Sequence, residues 1–204
     1  VPILSAKDIV ESAEASIDSE EVRSILHNGW TTTKKWADEN HDTVLRLASV
    51  CFRINQYVND NPEDAAKIHV NYVNSLAGTE FSEEEVQGLY STSIPLYTWE
   101  MQVPWFEDEE DPLYWEYEIG STLKMYESEG LFKEEEYKPS DIVSADGVYK
   151  ELKELKTQAE ENLEKLSDVE GEAAELKEKA EYQYSIFNYL DAKNFSEQAL
   201  EAAK

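Results

Sequence analysis

Positive charge is scarce in this chain of 204 residues: Lys and Arg number 18 against 45 Asp and Glu, a formal net charge of −27. A charge of that sign and size repels phosphate backbones, so a nucleic-acid partner is close to excluded. Cysteine is nearly absent. Cys51 alone rules out an internal disulfide framework and leaves the compartment undecided. Long apolar runs are missing too, and no stretch approaches the roughly 18 consecutive apolar residues of a membrane span. The chain opens Val1-Pro2-Ile3-Leu4 with no initiator Met, no basic leader and no long apolar core of a signal peptide. On that ground the sequence is expected to be a processed or excised piece of a longer protein.

What is present supports a packed protein. Hydrophobic residues make up 41%, with 5 Trp, 12 Tyr and 6 Phe, enough for a core and against global disorder. Of the acids 33 are Glu, and of the bases 15 are Lys. Both are good helix formers that pair at i,i+4, so the charge reads first as the solvation of long helical faces.

The pattern predicts short elements at the start. Val1–Leu4 reads as a strand, Ser5 or Asp8 opens a helical turn, and a helix follows Asp18 with Val22, Ile25 and Leu26 on one face. Asn28-Gly29 breaks it, and Trp30-Thr31-Thr32-Thr33 reads as extended, being aromatic and β-branched. The strongest helix is Trp36 to Val58, with Val44, Leu47, Ala48, Cys51, Ile54 and Val58 on a single stripe. Asn61 caps the next helix, Pro62 occupies its first position, and Glu63 and Asp64 fill the first turn. Ala65, Ile68, Tyr72 and Val73 make its inner face and Gly78 ends it. Ser82-Glu83-Glu84-Glu85 is a capping box for a helix ending near Leu89-Tyr90. Residues 94 to 112 read as irregular. A further helix runs from Leu113 to Glu129, stopped by Gly130, with Leu131 as the hydrophobic contact after it.

The composition shifts after Pro139. Residues 148 to 204 contain no Pro, no Trp and one Gly, Gly171. Leu152, Leu155, Ala159, Leu163 and Leu166 form one stripe; Ala173, Leu176, Ala180, Tyr184, Phe187 and Leu190 form a second. A turn at Asp191–Asn194 precedes a last helix with Phe195, Ala199 and Ala202. Residues 148–204 are therefore a helical hairpin or three-helix unit, separate from a domain at 1–147.

Motifs of chemistry are sparse. His27, His41 and His69 show no zinc spacing, Cys51 reads as a small buried hydrophobe, and no GxSxG, P-loop or GxGxxG occurs. Glu107 to Asp111 could clasp a hard cation, but it lacks the spacing and Gly of a calcium loop, and a solvated loop is the simpler reading. No enzyme, metal site or cofactor is expected. The aromatics Trp99, Trp105, Phe106, Tyr114, Trp115 and Tyr117 either staple an irregular segment onto helices or form a ligand-stacking wall. Asn194-Phe195-Ser196 fits a glycosylation acceptor tripeptide within a helical region.

The stretch from Trp30 through Trp36-Ala37-Asp38-Glu39-Asn40, and above all Asn59-Asp60-Asn61-Pro62-Glu63-Asp64-Ala65-Ala66, resembles the C-terminal part of substrate-binding proteins of ABC importers in the sulfonate, nitrate and taurine group. Ile94-Pro95-Leu96-Tyr97 and Glu129-Gly130-Leu131 are further points of likeness, and the resemblance covers about residues 1 to 145. It implies an α+β chain, mostly α with a few short strands: the later portion of a type II periplasmic-binding fold, with a helical tail at 148–204 outside the family's core. His41 departs from the family, where Pro is usual. A family member is two-lobed with its ligand cleft between the lobes, and the early strands that supply many ligand contacts are not in this sequence. The resemblance implies an extracytoplasmic, extracellular or periplasmic solute-binding component that takes up a small polar or anionic molecule by lobe closure and hands it to an ABC permease. It puts Asn28, Trp30 and Thr31 at the cleft, as a flat apolar ring beside amide and hydroxyl groups. The plainer reading packs Trp30 under the helix. The alternative function is a cell-surface structural or interaction protein that self-associates through residues 148–204.

Overall fold

The computed structural model describes residues 31–92, 96–111, 114–133 and 136–204. The strand expected at Val1–Leu4 and the helix after Asp18 lie outside them. Of the described residues 76% are helical and none belongs to a strand. The α+β class and the type II periplasmic-binding fold expected from the sequence are thus corrected: the described chain is all-α. Thr31 to Thr33 supplied the β signal. They belong to no strand among the described residues; Thr33 is extended and its hydroxyl caps a helix by accepting from the Trp36 N–H at 3.2 Å.

Ten helices are described: α1 Lys34–Glu39, α2 His41–Asp60, α3 Pro62–Ala77, α4 Glu83–Thr92, α5 Trp99–Glu107, α6 Trp115–Ser128, α7 Pro139–Ile142, α8 Ala145–Glu164, α9 Glu172–Ser185 and α10 Tyr189–Ala202. They divide into two compact units. Among the described residues, one unit takes in 54–143 and the other combines 31–53 with 144–204.

In the first unit the Asn61-Pro62 boundary lies where the sequence puts it, with Pro62 opening α3 and Glu63 and Asp64 in its first turn. The Asn61 side chain turns backward, donating to the Tyr57 carbonyl at 3.1 Å instead of capping α3. α3 ends at Gly78 in the left-handed region, φ 65°. Its inner face differs from expectation. Ala65 and Ala66 are buried, while Ile68 and Tyr72 are exposed, because the close approach of the two alanines fixes the rotation of the helix. The box at the start of α4 forms as read: Glu85 N–H donates to the Ser82 hydroxyl at 3.2 Å and Ser82 N–H to the Glu85 carboxylate at 2.8 Å.

Residues 94–112 were expected to be irregular, yet 99–107 is helical. Thr98 caps α5 by accepting from Met101 N–H, and burial of Trp99 outweighs the loss of a helical donor at Pro104. The segment before it is tied down by α2, whose Asn55 and Asn59 amides donate to the Tyr97 and Leu96 carbonyls at 2.8 Å each. α6 closes with Gly130 at φ 74°, Gly130 N–H on the Glu127 carbonyl and Leu131 N–H on that of Tyr126, the paired bonds of a Schellman end. Leu131 itself is exposed; the ring of Phe132 packs edge-on to Tyr126 in its place.

The second unit contains the tightest packing. α9 and α10 form a hairpin and α8 packs on α10. Ala159, Ala180, Ala192, Ser196 and Ala199 are fully buried, small residues that let helix axes approach closely. Leu152 and Leu166 on α8 and just beyond it, with Ala173 on α9, follow the stripes read from the sequence. The turn before α10 begins five residues earlier than expected. It falls at Ile186 to Asn188, where Phe187 takes φ 63° and Asn188 N–H bonds the Gln183 carbonyl at 2.9 Å. The single helix expected over Trp36–Val58 is broken at Asn40. The buried line of α2 runs through Leu45, Ser49 and Phe52, leaving Leu47 and Ile54 exposed. Ser49 hid this line from a search for apolar periodicity; its hydroxyl is satisfied by the Leu45 carbonyl at 3.0 Å.

Candidate functional site

Asn28 and Trp30 lie outside the described residues. Thr31 is exposed, two residues ahead of the Thr33 cap. His41 and His69 have structural partners. His41 meets Glu151 at 2.7 Å, and His69 meets the Tyr90 hydroxyl at 2.8 Å with the two rings stacked at 5.9 Å. Cys51 is half-buried on α2. Among the described residues no group of three His, Cys, Asp or Glu side chains is placed to hold a metal ion. The acidic run winds down from α5, with Glu110 N–H donating to Asp108 at 2.9 Å. Ser196 of the acceptor tripeptide is fully buried in the middle of α10, its hydroxyl on the Lys193 carbonyl. Asn194, the residue that would carry a glycan, is half-buried in the same helix.

The aromatic cluster is packed against itself. Trp99 is buried, Tyr97 lies 4.5 Å from Trp105 between ring centres, and Tyr114 meets Tyr117 edge-on at 5.4 Å. Beside it is the one strongly perturbed acid among the described residues, Glu118 in the first turn of α6, 5% exposed. Burial pushes its carboxyl up to about 8. The Tyr97 hydroxyl is pushed up to about 12, by burial first and then by Glu118. Nothing in the sequence distinguishes Glu118 from the other glutamates.

Each unit carries an open groove. In the first unit Val58, Asn59, Pro62, Glu84, Gln87, Gly88 and Tyr90 line about 440 Å³. In the second, Glu175, Glu178, Lys179, Tyr182 and Gln183 of α9 with Phe195 of α10 line about 500 Å³. Tyr182 was not marked by the sequence reading. The available signal was an aromatic ring off the apolar stripe of Ala173, Ala180 and Tyr184.

No protein-family model matches the chain, and no curated protein or solved structure matches it either. No helix of the described residues is long and apolar enough to cross a membrane.

Proposed function

We propose that this chain is part of an extracytoplasmic solute-binding protein of an ABC importer, and that it binds a small polar or anionic molecule for delivery to a permease. The observation that carries this is local. The phrase Asn59 to Ala66, where the resemblance is best, straddles a helix boundary, and each of its parts has a structural task. Asn59 donates to the Leu96 carbonyl, Pro62 opens α3, Glu63 and Asp64 face its positive end, and Ala65 and Ala66 make its closest packing. A phrase constrained at so many positions is shared by chance less readily than a stretch of surface. The proposal concerns the function; the sheet-containing fold once expected with it is set aside by the helices above.

The test is native mass spectrometry of the protein purified without refolding, together with titration of taurine, methanesulfonate and nitrate. A monomer carrying a small non-covalent mass, or saturable uptake of one of these anions, supports the reading. A protein that holds no small molecule and takes up none of the three overturns it in this form. A second reading, an interaction protein working through its C-terminal helices, is favoured by one observation, the exposed ring of Tyr182 in the α9–α10 groove.

A further inference from the structure

We propose that α3 docks antiparallel against α3 of a second copy of this chain, making a weak symmetric dimer. α3 carries two rows of large or packed side chains. One is already taken: Ala65 and Ala66 are buried, and His69 meets Tyr90 of α4 at 2.8 Å. Ile68, Tyr72 and Leu76 form the other, four residues apart on one face, and they stand 61%, 63% and 71% exposed. The Tyr57 ring at the end of α2 extends this row, its hydroxyl donating to Asp64 one turn before Ile68. A surface helix ordinarily presents polar groups outside its packed stripe, so a second apolar row is a face made to be covered.

Symmetry and charge choose the occupant. The row reads aliphatic, aromatic, aliphatic at equal spacing. Turned end for end about Tyr72 it meets itself, with Ile68 against Leu76 of the partner subunit and the two Tyr72 rings together, as a two-fold axis requires. Ridges of four-residue spacing interlock in this way at about 50°. The chain carries 45 acids in 204 residues, yet none falls between Asp64 and Glu80, so two chains of −27 can approach here with no carboxylate in the overlap. The same register sets Lys67 level with Ala77 of the partner subunit, in the last turn of its α3. That turn has no basic residue of its own, and a cation there meets the negative end of the helix. An anionic lipid surface would instead repel the acids that bracket the row at Glu63, Asp64 and Glu80. The row covers well under the roughly 800 Å² per partner of a stable complex. The dissociation constant is therefore expected on the order of 10 to 100 µM, and the chain is a monomer when dilute.

Sedimentation equilibrium of the full chain across that range reads the association. Added NaCl should tighten it several-fold, since salt screens the repulsion of two −27 chains and leaves the apolar contact in place. Tyr72→Ser should weaken it at least about tenfold. Met125→Ser, at an exposed apolar residue of α6, is the control and should leave it unchanged. Circular dichroism checks that each variant folds. The register is read with a short bis-maleimide, against the natural chain whose one thiol is Cys51. Tyr72→Cys should cross-link to itself, and Ile68→Cys should join Leu76→Cys in a mixture far more than it joins its own kind. The Ile68 and Leu76 pattern decides the case even where a change at Tyr72 unfolds the chain. A monomer at every concentration and salt, or a dimer that salt weakens, overturns the proposal. So does a dimer that Tyr72→Ser leaves intact, which moves the contact to another surface such as residues 148–204. Ile68→Cys cross-linking to itself as readily as to Leu76→Cys overturns the antiparallel pairing.

Discussion

Arg46 of α2 grips Asp191 of α10 with both ends of its guanidinium, 145 residues apart in sequence, with Nη2 donating to Oδ1 at 2.8 Å. The Asn188 amide donates to the same carboxylate at 2.8 Å, so Asp191 receives three bonds at the first turn of α10. Together with His41 on Glu151, this is how the polar side of α2 is fastened within the second unit. A forked, charge-assisted pair of this kind is stronger than a lysine pair on a helix face.

The first prediction is a dependence on acid. The Arg46 hydrogen bonds hold the Asp191 carboxyl below its ordinary value of 3.8. A lowered folded value contributes stability that is present above the unfolded value and lost as pH falls through the folded one. Both groups are partly exposed, so Arg46→Met should cost only about 1 kcal/mol at neutral pH. Urea titration of the two proteins should show that gap narrowing as pH falls below 3.8. A gap constant down to strong acid would mean the arginine acts through its packed stem and not through Asp191.

Glu118 has the opposite sign. Its folded value of about 8 lies above the ordinary 4.5, so the folded state keeps a proton that the unfolded chain has released. The stability this contributes is full below 4.5 and is lost as pH rises through about 8. Glu118→Gln keeps the shape and removes the titration. It should melt higher than the natural protein at alkaline pH, by an amount on the order of 2 kcal/mol, and the two should converge in acid. Calorimetry across that range decides it. Parallel melting curves at every pH would show that the carboxyl is solvated.

These two residues also mark what a sequence conceals. Elements with strong local punctuation were legible: the Ser82 box, the Asn61-Pro62 boundary, the Gly78 and Gly130 ends, and the leucine and alanine stripes of the C-terminal helices. Elements decided by tertiary contact were not. Pro104 argued for a loop, and only burial of Trp99 makes α5 worthwhile. Thr31 to Thr33 have the composition of a strand, but a strand needs a neighbour that no local pattern reveals. Polar Asp191 and Asn194 drew the last turn away from Phe187, whose left-handed backbone is an unusual choice for an aromatic residue. The acids were harder still, since burial of one glutamate among 33 is a property of the fold and not of its neighbours in sequence.

The C-terminal helices should be intolerant of volume. Ala180, Ala192 and Ala199 have no exposed surface, and Ser196, equally buried, receives the Asn162 amide at 3.2 Å. Lys156, Glu160 and Tyr184 add a polar tie between α8 and α9. Burial disfavours the charged forms of Lys156 and Glu160, yet their shared hydrogen bonds prevail, raising the lysine and lowering the glutamate. Ala192→Leu adds three heavy atoms where none fits, and it should cost about 3 kcal/mol by urea unfolding. Ala202→Leu, at the exposed end of α10, is the control and should change stability by less than about 0.5 kcal/mol. Equal effects at both sites would mean α10 is not held by close axis-to-axis packing.

Trp30 separates the solute-binding reading from a purely structural one. If its ring lies against the ligand, as proposed with Asn28 and Thr31, its removal takes away apolar contact and little of the fold. Trp30→Ala should then weaken binding of whichever of taurine, methanesulfonate or nitrate the protein takes up by about tenfold, the worth of roughly one aromatic contact. The melting temperature should stay nearly unchanged, because the described helices have their own caps and cores. Isothermal titration paired with a thermal melt reads both quantities on one preparation. A large fall in melting temperature with binding intact would place Trp30 under the helix that follows it, and would move the ligand site away from all three residues.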